Sequence, residues 1–212
     1  TFEDDSDSRI CWYNIIDVGT EEWTYQTGSS GGNVTTAYEG NLNARYISSF
    51  GTQTAKLASP KINTAGQDSV ALIFAYAQQT WAGDQNTTKV LMRNDVSSPW
   101  EEIASYTTNV DQWTLDTIYI VDPFEDIEIA FEGTNDYGYA NVIDAVEVLP
   151  CSLEPGIDGS DNVCRAIDTI DLNNYITAGE DFGYWSFPAN ESFVNGSIAS
   201  VQFLPEGTHE FL

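Results

Sequence analysis

Acidic side chains are the most abundant groups in this chain that could do chemistry. The sequence contains 33 Asp and Glu against 7 Lys and Arg, which gives a net charge of −26. Hard cations prefer carboxylate and carbonyl oxygens, and Glu3-Asp4-Asp5 and Asn135-Asp136 supply such oxygens close to expected turns. No Asp-x-Asp-x-Asp-Gly loop is present. Calcium is therefore the first cofactor to consider, and it would also offset the repulsion between the carboxylates.

Asp144 occupies an unusual position in the sequence. It interrupts an otherwise apolar stretch at residues 142–146. A charged group in such a stretch must face solvent, a cation or a hydrogen-bonding partner. An outward-facing aspartate on an edge strand is the alternative, because successive strand residues point to opposite faces.

Groups suited to catalysis are poorly represented. The single histidine, His209, lies close to the end of the chain, where segments commonly fray and hold no fixed geometry. A Gly-rich phosphate loop, an HExxH motif and a CxxC motif are all missing from the sequence. Paired carboxylates of the glycosidase type exist by residue type, but so many acidic residues always include a suitable pair. We predict that the chain is not an enzyme.

Aromatic residues near expected loops indicate a sugar-binding surface. Ligand sites combine flat apolar side chains with a few polar groups that fix orientation. Aromatic residues of β-sandwiches also form core and cross-strand pairs, which is the alternative. The predicted ligand-binding residues are Trp81, Asp84, Asn135, Asp136, Tyr137 and Tyr139, with Asn86 and Trp100 considered beside them.

The charge and hydropathy of the chain exclude two classes of partner. A strongly negative protein does not approach nucleic acid phosphates or an anionic membrane surface unaided. No apolar stretch approaches the roughly 18 residues of a membrane helix, and residues 1–9 are acidic where a signal peptide would be basic. We expect a soluble chain without direct membrane insertion.

Hydrophobic periodicity predicts an all-β protein. Residues 69–77 form a nearly continuous apolar stretch, which indicates a central strand, whereas residues 126–132 alternate and indicate a half-exposed one. Polar turns separate the strands at intervals that suit a sandwich or jelly roll. The other predicted strands are 44–49, 54–58, 88–93, 101–106, 117–121 and 142–148.

A change in composition predicts two domains. Residues 149–161 concentrate Pro, Gly, Ser and Asp, which mark linkers and turns. The predicted domains are 1–149 and 150–212. Three cysteines allow one disulfide: Cys11 with Cys151 is favoured because the ends of a domain commonly converge, but Cys151 with Cys164, or three free thiols, remain open.

Residues 1–148 resemble a MAM domain and the related bacterial cleaved-adhesin and choice-of-anchor jelly rolls. The resemblance depends on the order of several short motifs rather than on any one of them, and most of the MAM cysteines are missing, so the bacterial type is the better match. The motifs are Phe2-Glu3, Cys11-Trp12, Trp23, Arg45-Tyr46-Ile47, Ala58-Ser59-Pro60, residues 71–76, Trp100, Trp113, residues 129–133 and residues 142–146.

This resemblance implies a calcium site. Related jelly rolls bind calcium where the acidic residue of the first strand meets the aspartate of the closing segment. The corresponding residues here are Glu3 and Asp144, with Asp17 as a further ligand.

Residues 151–212 resemble the small immunoglobulin-like repeats of giant surface adhesins and gliding-motility proteins that Gram-negative bacteria export by the type IX system. Gly156 to Cys164, residues 170–172, residues 183–186 and residues 204–208 carry this resemblance. The family continues with another strand and a second cysteine, whereas this sequence stops at Leu212. We expect a truncated repeat, with an open sheet edge that takes a strand from a neighbour as the alternative.

The two resemblances together imply an extracellular adhesion module. The expected fold is a MAM-like jelly-roll β-sandwich followed by a partial immunoglobulin-like β-sandwich. Calcium would stiffen it, its ligand would be carbohydrate or a cell-surface protein, and neighbouring repeats of the same chain would be further partners. Accessory domains of a secreted hydrolase, or a filament subunit joined by strand exchange, are the alternatives. Asp-Ser/Thr-Val/Ile triplets resemble the O-glycosylation signal of such bacteria and make Ser69, Thr117 and Thr169 candidate sites.

Overall fold

Strands dominate the computed structural model, which describes residues 2–48, 50–150, 169–172, 187, 194–195 and 198–200. The chain divides into two units, Thr1–Cys151 and Ser152–Leu212, and each is described by itself. The described helical element is a 3-10 turn at Arg9–Cys11. Within the described residues, no helix has the length and hydropathy needed to cross a membrane.

The strands are two to twelve residues long, and the predicted all-β class is confirmed. The predicted domain ranges, 1–149 and 150–212, stay predictions. In chain order the strands are β1 (Tyr13–Val18), β2 (Thr24–Gln26), β3 (Asn43–Tyr46), β4 (Gln53–Ala58), β5 (Ile62–Asn63), β6 (Ser69–Gln78), β7 (Thr87–Arg93), β8 (Glu101–Tyr106), β9 (Val110–Val121), β10 (Asp126–Asn135), β11 (Asn141–Pro150), β12 (Thr169–Asp171), β13 (Val194–Asn195) and β14 (Ile198–Ser200).

Two antiparallel sheets form the first unit. The six-stranded sheet has the order β1-β4-β10-β7-β8, with β5 paired to β10, and the five-stranded sheet has the order β2-β3-β11-β6-β9. Phe74 of β6 and Phe131 of β10 meet edge to face with their ring centroids 5.0 Å apart. The sheets therefore pack face to face as a sandwich.

Alternating residues of both sheets fill the space between them. Leu72, Phe74 and Ile143 come from the five-stranded sheet, and Ile129 and Phe131 come from the six-stranded sheet. Ile127, Ile129 and Phe131, which alternate with other residues in the predicted strand 126–132, thus share the core face of β10. Burial of these side chains is the main stabilising contribution, at about 1.5–3 kcal/mol for each large apolar side chain.

The prediction of a half-exposed strand at 126–132 is wrong. Strand β10 lies in the centre of its sheet between β4 and β7, and its outward residues Glu128 and Ala130 are also buried. Glu128 is covered because Arg93 Nε donates to its Oε2 at 2.7 Å and the Tyr13 hydroxyl donates to its Oε1 at 3.2 Å. The alternation predicted that the outer face of β10 is exposed to solvent. Neighbouring strands and hydrogen-bonded side chains cover that face instead.

The second unit contains a three-stranded antiparallel sheet in the order β12-β14-β13. Leu172, Phe187 and Ala199 of this unit are buried. The immunoglobulin-like identity of this unit stays a prediction, and Cys164 and His209 lie outside the described residues.

Candidate functional site

Residues 27–42, which connect β2 to β3, form what we call the covering segment. Val34 of this segment packs with Ala77, Ala140 and Val142. Tyr76 and Ile143, the neighbours of Ala77 and Val142 in sequence, point into the core. Since side chains alternate along a strand, the covering segment lies on the outer face of the five-stranded sheet.

Asp144 holds the middle of the covering segment. Its side chain is fully buried, and its Oδ2 accepts the backbone N–H groups of Tyr38 at 2.9 Å and Glu39 at 3.0 Å. Its Oδ1 accepts the N–H of Ala145 at 2.8 Å. Burial raises the pKa of Asp144 above its ordinary value, although the three N–H groups oppose that shift. The alternative of a solvated Asp144 on an edge strand is therefore wrong, because β11 is a central strand and the covering segment buries the side chain on the outer face.

Glu3 holds the end of the same segment. Its Oε1 accepts the backbone N–H groups of Asn41 at 2.7 Å and Leu42 at 2.8 Å. Gly40 lies against this carboxylate with a φ of +69°, and a Cβ there would stand 2.4 Å from Glu3 Oε1. The N–H groups of Leu42 and Asn41 hold the pKa of Glu3 below its ordinary value. Glu3 and Asp144 thus bind the same five-residue stretch, 38–42.

A Glu3→Gln variant is expected to change how stability depends on pH. Because the pKa of Glu3 is lower in the folded chain than in the unfolded one, its contribution is present above the ordinary glutamate pKa and is lost as pH falls through the folded pKa. Melting curves recorded in chelator should therefore show a difference between the wild type and Glu3→Gln that shrinks with acidification. A Glu22→Gln variant, which changes an exposed side chain, is the control. Parallel curves for the wild type and Glu3→Gln would contradict the prediction.

Asp17 is not brought together with the other two predicted calcium ligands. It lies on β1, and its Oδ2 is 2.5 Å from Lys56 Nζ. The same ammonium group is 2.8 Å from Glu132 Oε2. Among the described residues, no three acidic, histidine or cysteine side chains cluster closely enough to hold a metal. Glu3 and Asp144 suit calcium by donor type, but the ion would also need backbone carbonyl oxygens, and Asp17 is corrected to an ion-pair partner.

The predicted ligand-binding loops lie at one end of the sandwich and expose two aromatic rings. Trp81 and Asp84 close a tight turn through reciprocal backbone hydrogen bonds of 3.1 and 2.8 Å. The Trp81 side chain is 51% exposed and that of Tyr137 is 48% exposed. Both rings and the Asp84 carboxylate are accessible for contact with a ligand.

Other members of the predicted site support the loops instead. Asn135 is fully buried and accepts the N–H of Ser48 at 3.1 Å. The Tyr139 ring packs against Gly31 and Gly32, where a Cβ would come within 2.5 and 3.1 Å of it. Asp136 is exposed, and its Oδ1 accepts the Thr52 hydroxyl at 2.6 Å. The assignment of Asn135 and Tyr139 as ligand contacts is therefore corrected, because the loop packing already uses them.

A cleft that the sequence did not indicate lies beside the covering segment. Its volume is about 300 Å³, and one of its walls is Trp113 of β9. Trp113 Nε1 donates to the carbonyl oxygen of Thr36 at 2.9 Å, and the Tyr38 ring meets it edge to face at 6.0 Å. The predicted strand 117–121 did not include Trp113, although β9 begins at Val110. Extending the alternation of that strand back through Leu115 would have placed Trp113 on it. The lining residues are Asn33, Val34, Thr35, Thr36, Gln112 and Trp113.

The remaining predicted sites fall on different parts of the chain. Cys11 is exposed, while Cys151 lies outside the described residues, so their pairing stays a prediction. Ser69 is only 2% exposed, which makes it a poor glycosylation site in the folded chain. Thr117 is half-buried on β9, and Thr169 belongs to β12.

Comparison with known proteins identifies the fold and no family. No family model and no curated protein matches the chain. A solved structure from work on promiscuous carbohydrate-binding modules of the β-sandwich superfamily is similar, with 16% identity, a TM-score of 0.50, and coverage of 70% of this chain and 60% of that one. The fold is a β-sandwich. The MAM-like identity of the first unit stays a prediction.

Two further solved structures have lower TM-scores. The K1 cleaved adhesin domain of Lys-gingipain from Porphyromonas gingivalis W83 is 17% identical, with coverage of 65% of this chain and 89% of that one and a TM-score of 0.48. TmCBM61 in complex with β-1,4-galactotriose is 10% identical, with coverage of 66% and 88% and a TM-score of 0.46.

Proposed function

We propose that this chain is a non-catalytic extracellular binding module that recognises carbohydrate. The observation that carries the proposal is the pair of exposed rings, Trp81 and Tyr137, at one end of a rigid two-sheet sandwich. Large exposed aromatic side chains are costly to leave in water and mark ligand or partner surfaces. The similar solved structure at a TM-score of 0.50 comes from work on carbohydrate-binding modules, which supports the same class of ligand.

The proposed setting is a large modular adhesin on a bacterial surface. The sequence resemblance to type IX-exported adhesins and gliding-motility proteins supports this setting, and neighbouring repeats of the same chain would be further partners. The net charge of −26 favours a neutral ligand, because carboxylates spread over the surface repel anionic ones.

Glycan binding is the test of the proposal. The wild-type chain is expected to bind members of a panel of neutral oligosaccharides, with a change in tryptophan fluorescence, since five of its six tryptophans lie in the first unit. Sulfated and uronic acid oligosaccharides serve as controls and should bind more weakly. Failure of the wild type to bind any neutral oligosaccharide would contradict the proposed function.

The proposal includes a structural calcium ion near Glu3 and Asp144. Two carboxylates that already hold one backbone stretch supply hard oxygen donors, and carbonyl groups of residues 38–42 would complete the ligand set. When bound, the ion would neutralise the two carboxylates and cross-link the covering segment to β11 and the start of the chain.

Calcium removal gives a direct measurement. At a concentration 100 times its Kd, calcium is expected to stabilise the folded chain by about 2.7 kcal/mol, so chelator should lower the Tm. Asp144→Asn should lose most of this response, whereas Asp17→Asn should keep it because Asp17 pairs with Lys56. An unchanged Tm at submillimolar calcium would refute the calcium site and leave the glycan proposal standing.

A further inference from the structure

The cleft beside Trp113 has the chemistry of a site for an uncharged, hydroxyl-rich ligand. Its polar lining consists of amide and hydroxyl side chains, from Asn33, Thr35, Thr36 and Gln112, and it contains no ionisable residue. Amides offer both donors and acceptors, and hydroxyl groups do the same. Such a lining can satisfy the hydroxyl groups of a sugar without requiring a charge on the ligand.

Trp113 supplies the apolar wall and is held in a fixed orientation. Its indole N–H is already used by the carbonyl oxygen of Thr36 at 2.9 Å, and Tyr38 supports it edge to face. The ring therefore offers the cleft its apolar surface rather than a hydrogen-bond donor. A fixed ring needs little ordering on binding, which favours affinity.

The opposite wall is also anchored. Asn33 N donates to Gln79 Oε1 at 2.7 Å, and Asn33 Nδ2 donates to Asp111 Oδ2 at 3.1 Å. The Ser29 N–H donates to the carbonyl oxygen of Val34 at 2.8 Å, and Val34 is buried in its own apolar cluster. The cleft is a preformed feature between two fixed elements, as ligand sites usually are.

Size and surroundings indicate a short stretch of glycan that continues along the sheet. The volume of about 300 Å³ is at the lower end of the range for small-molecule sites. Exposed apolar surface extends from the cleft along the outer face of the five-stranded sheet, where Tyr38 is 42% and Leu115 is 53% exposed. A charged ligand would meet no basic lining residue.

We propose that this cleft is a binding site for a neutral saccharide, with Trp113 as the stacking residue and Gln112 and Thr35 as hydrogen-bonding residues. The inference rests on the proposed carbohydrate-binding function and adds a second site to the loop surface at Trp81 and Tyr137. Apolar stacking surface, neutral hydrogen-bonding groups and a fixed geometry coincide at this cleft, whereas Asn135 and Tyr139 of the loop surface are occupied by internal packing.

Isothermal titration of the full chain with neutral β-1,4-linked tri- to hexasaccharides of glucose, xylose, mannose and galactose tests the assignment. Trp113→Ala is expected to weaken binding at least about 10-fold, and Gln112→Ala and Thr35→Val to weaken it by a smaller factor. Phe124→Ala, which truncates an aromatic residue that is 52% exposed and does not line the cleft, should leave affinity within about twofold.

The outcomes separate the site from the function. Wild-type binding that Gln112→Ala and Thr35→Val leave unchanged, and that Trp81→Ala removes, would overturn the cleft assignment while supporting carbohydrate binding. Absence of wild-type binding across the panel would overturn both. If circular dichroism shows that Trp113→Ala is unfolded, Gln112→Ala and Thr35→Val test the cleft assignment instead, because each removes only a small side-chain contact.

Discussion

Replacing Phe131 by alanine is expected to lower the free energy of unfolding by about 3–5 kcal/mol, the usual cost of truncating a buried phenylalanine. Phe131 is fully buried at the centre of the sandwich. Its ring contacts Phe74 of the opposite sheet at 5.0 Å and stacks with Trp12 at 6.3 Å. Truncation would leave a cavity between two sheets whose strands are held by hydrogen bonds and cannot close around it.

Chemical denaturation followed by tryptophan fluorescence measures this loss. Phe50→Ala is the matched control, because Phe50 is 81% exposed and its truncation should change stability by less than about 0.5 kcal/mol. Equal effects of the two substitutions would contradict the position of Phe131 between the sheets.

Replacing Asp144 by alanine is expected to cost about 2–4 kcal/mol in chelator. The substitution leaves the N–H groups of Tyr38, Glu39 and Ala145 without their acceptor. Removing a buried carboxylate also relieves the desolvation that raises its pKa, and this gain opposes the loss. The loss of three hydrogen bonds to a charged acceptor, at about 1.5–3 kcal/mol each, is larger than the gain from relieved desolvation.

The control for this prediction is Asp136→Ala. Asp136 is exposed and accepts a side-chain hydrogen bond from Thr52, so a change below about 1 kcal/mol is expected. Hydrogen exchange adds a local measurement: Asp144→Ala should speed exchange at Tyr38 and Glu39 more than within β6. An Asp144→Ala protein as stable as the wild type would show that the buried carboxylate is not needed to hold the covering segment.

Strands were predictable where one face of the chain is buried. Ile127, Ile129 and Phe131 alternate with polar residues, and the structure places all three in the core. Strands β2 and β5 were missed because their three and two residues carry little periodicity, and β1 was missed because its residues do not alternate between buried and exposed positions. The degree of exposure was misjudged for β10, since burial of Glu128 depends on Arg93 and Tyr13, which are distant in sequence.

The candidate site was predictable only in part. Glu3 and Asp144 both bind the backbone of residues 38–42, whereas the calcium ion that the family resemblance implied stays a prediction. The cleft was not foreseen, because it forms between a long loop and the beginning of β9, and neither has a distinctive motif. Asn135 was predicted as a ligand contact because its residue type suits that role. Only the fold shows that its amide is buried and accepts a hydrogen bond from the Ser48 N–H.

The covering segment also determines the order in which this unit can be completed as the chain emerges during synthesis or export. Residues 30, 38 and 39 find partners at 140 and 144, more than one hundred positions later, as the 110-, 106- and 105-residue separations show. Contacts of such long range form after local ones, because the entropy of loop closure opposes them. The contacts of the covering segment with Ala140 and Asp144 cannot form until β11 has arrived beside β6. A chain interrupted before residue 140 would contain Trp113 and every residue that lines the cleft, but would lack the partners at 140 and 144 that hold the covering segment.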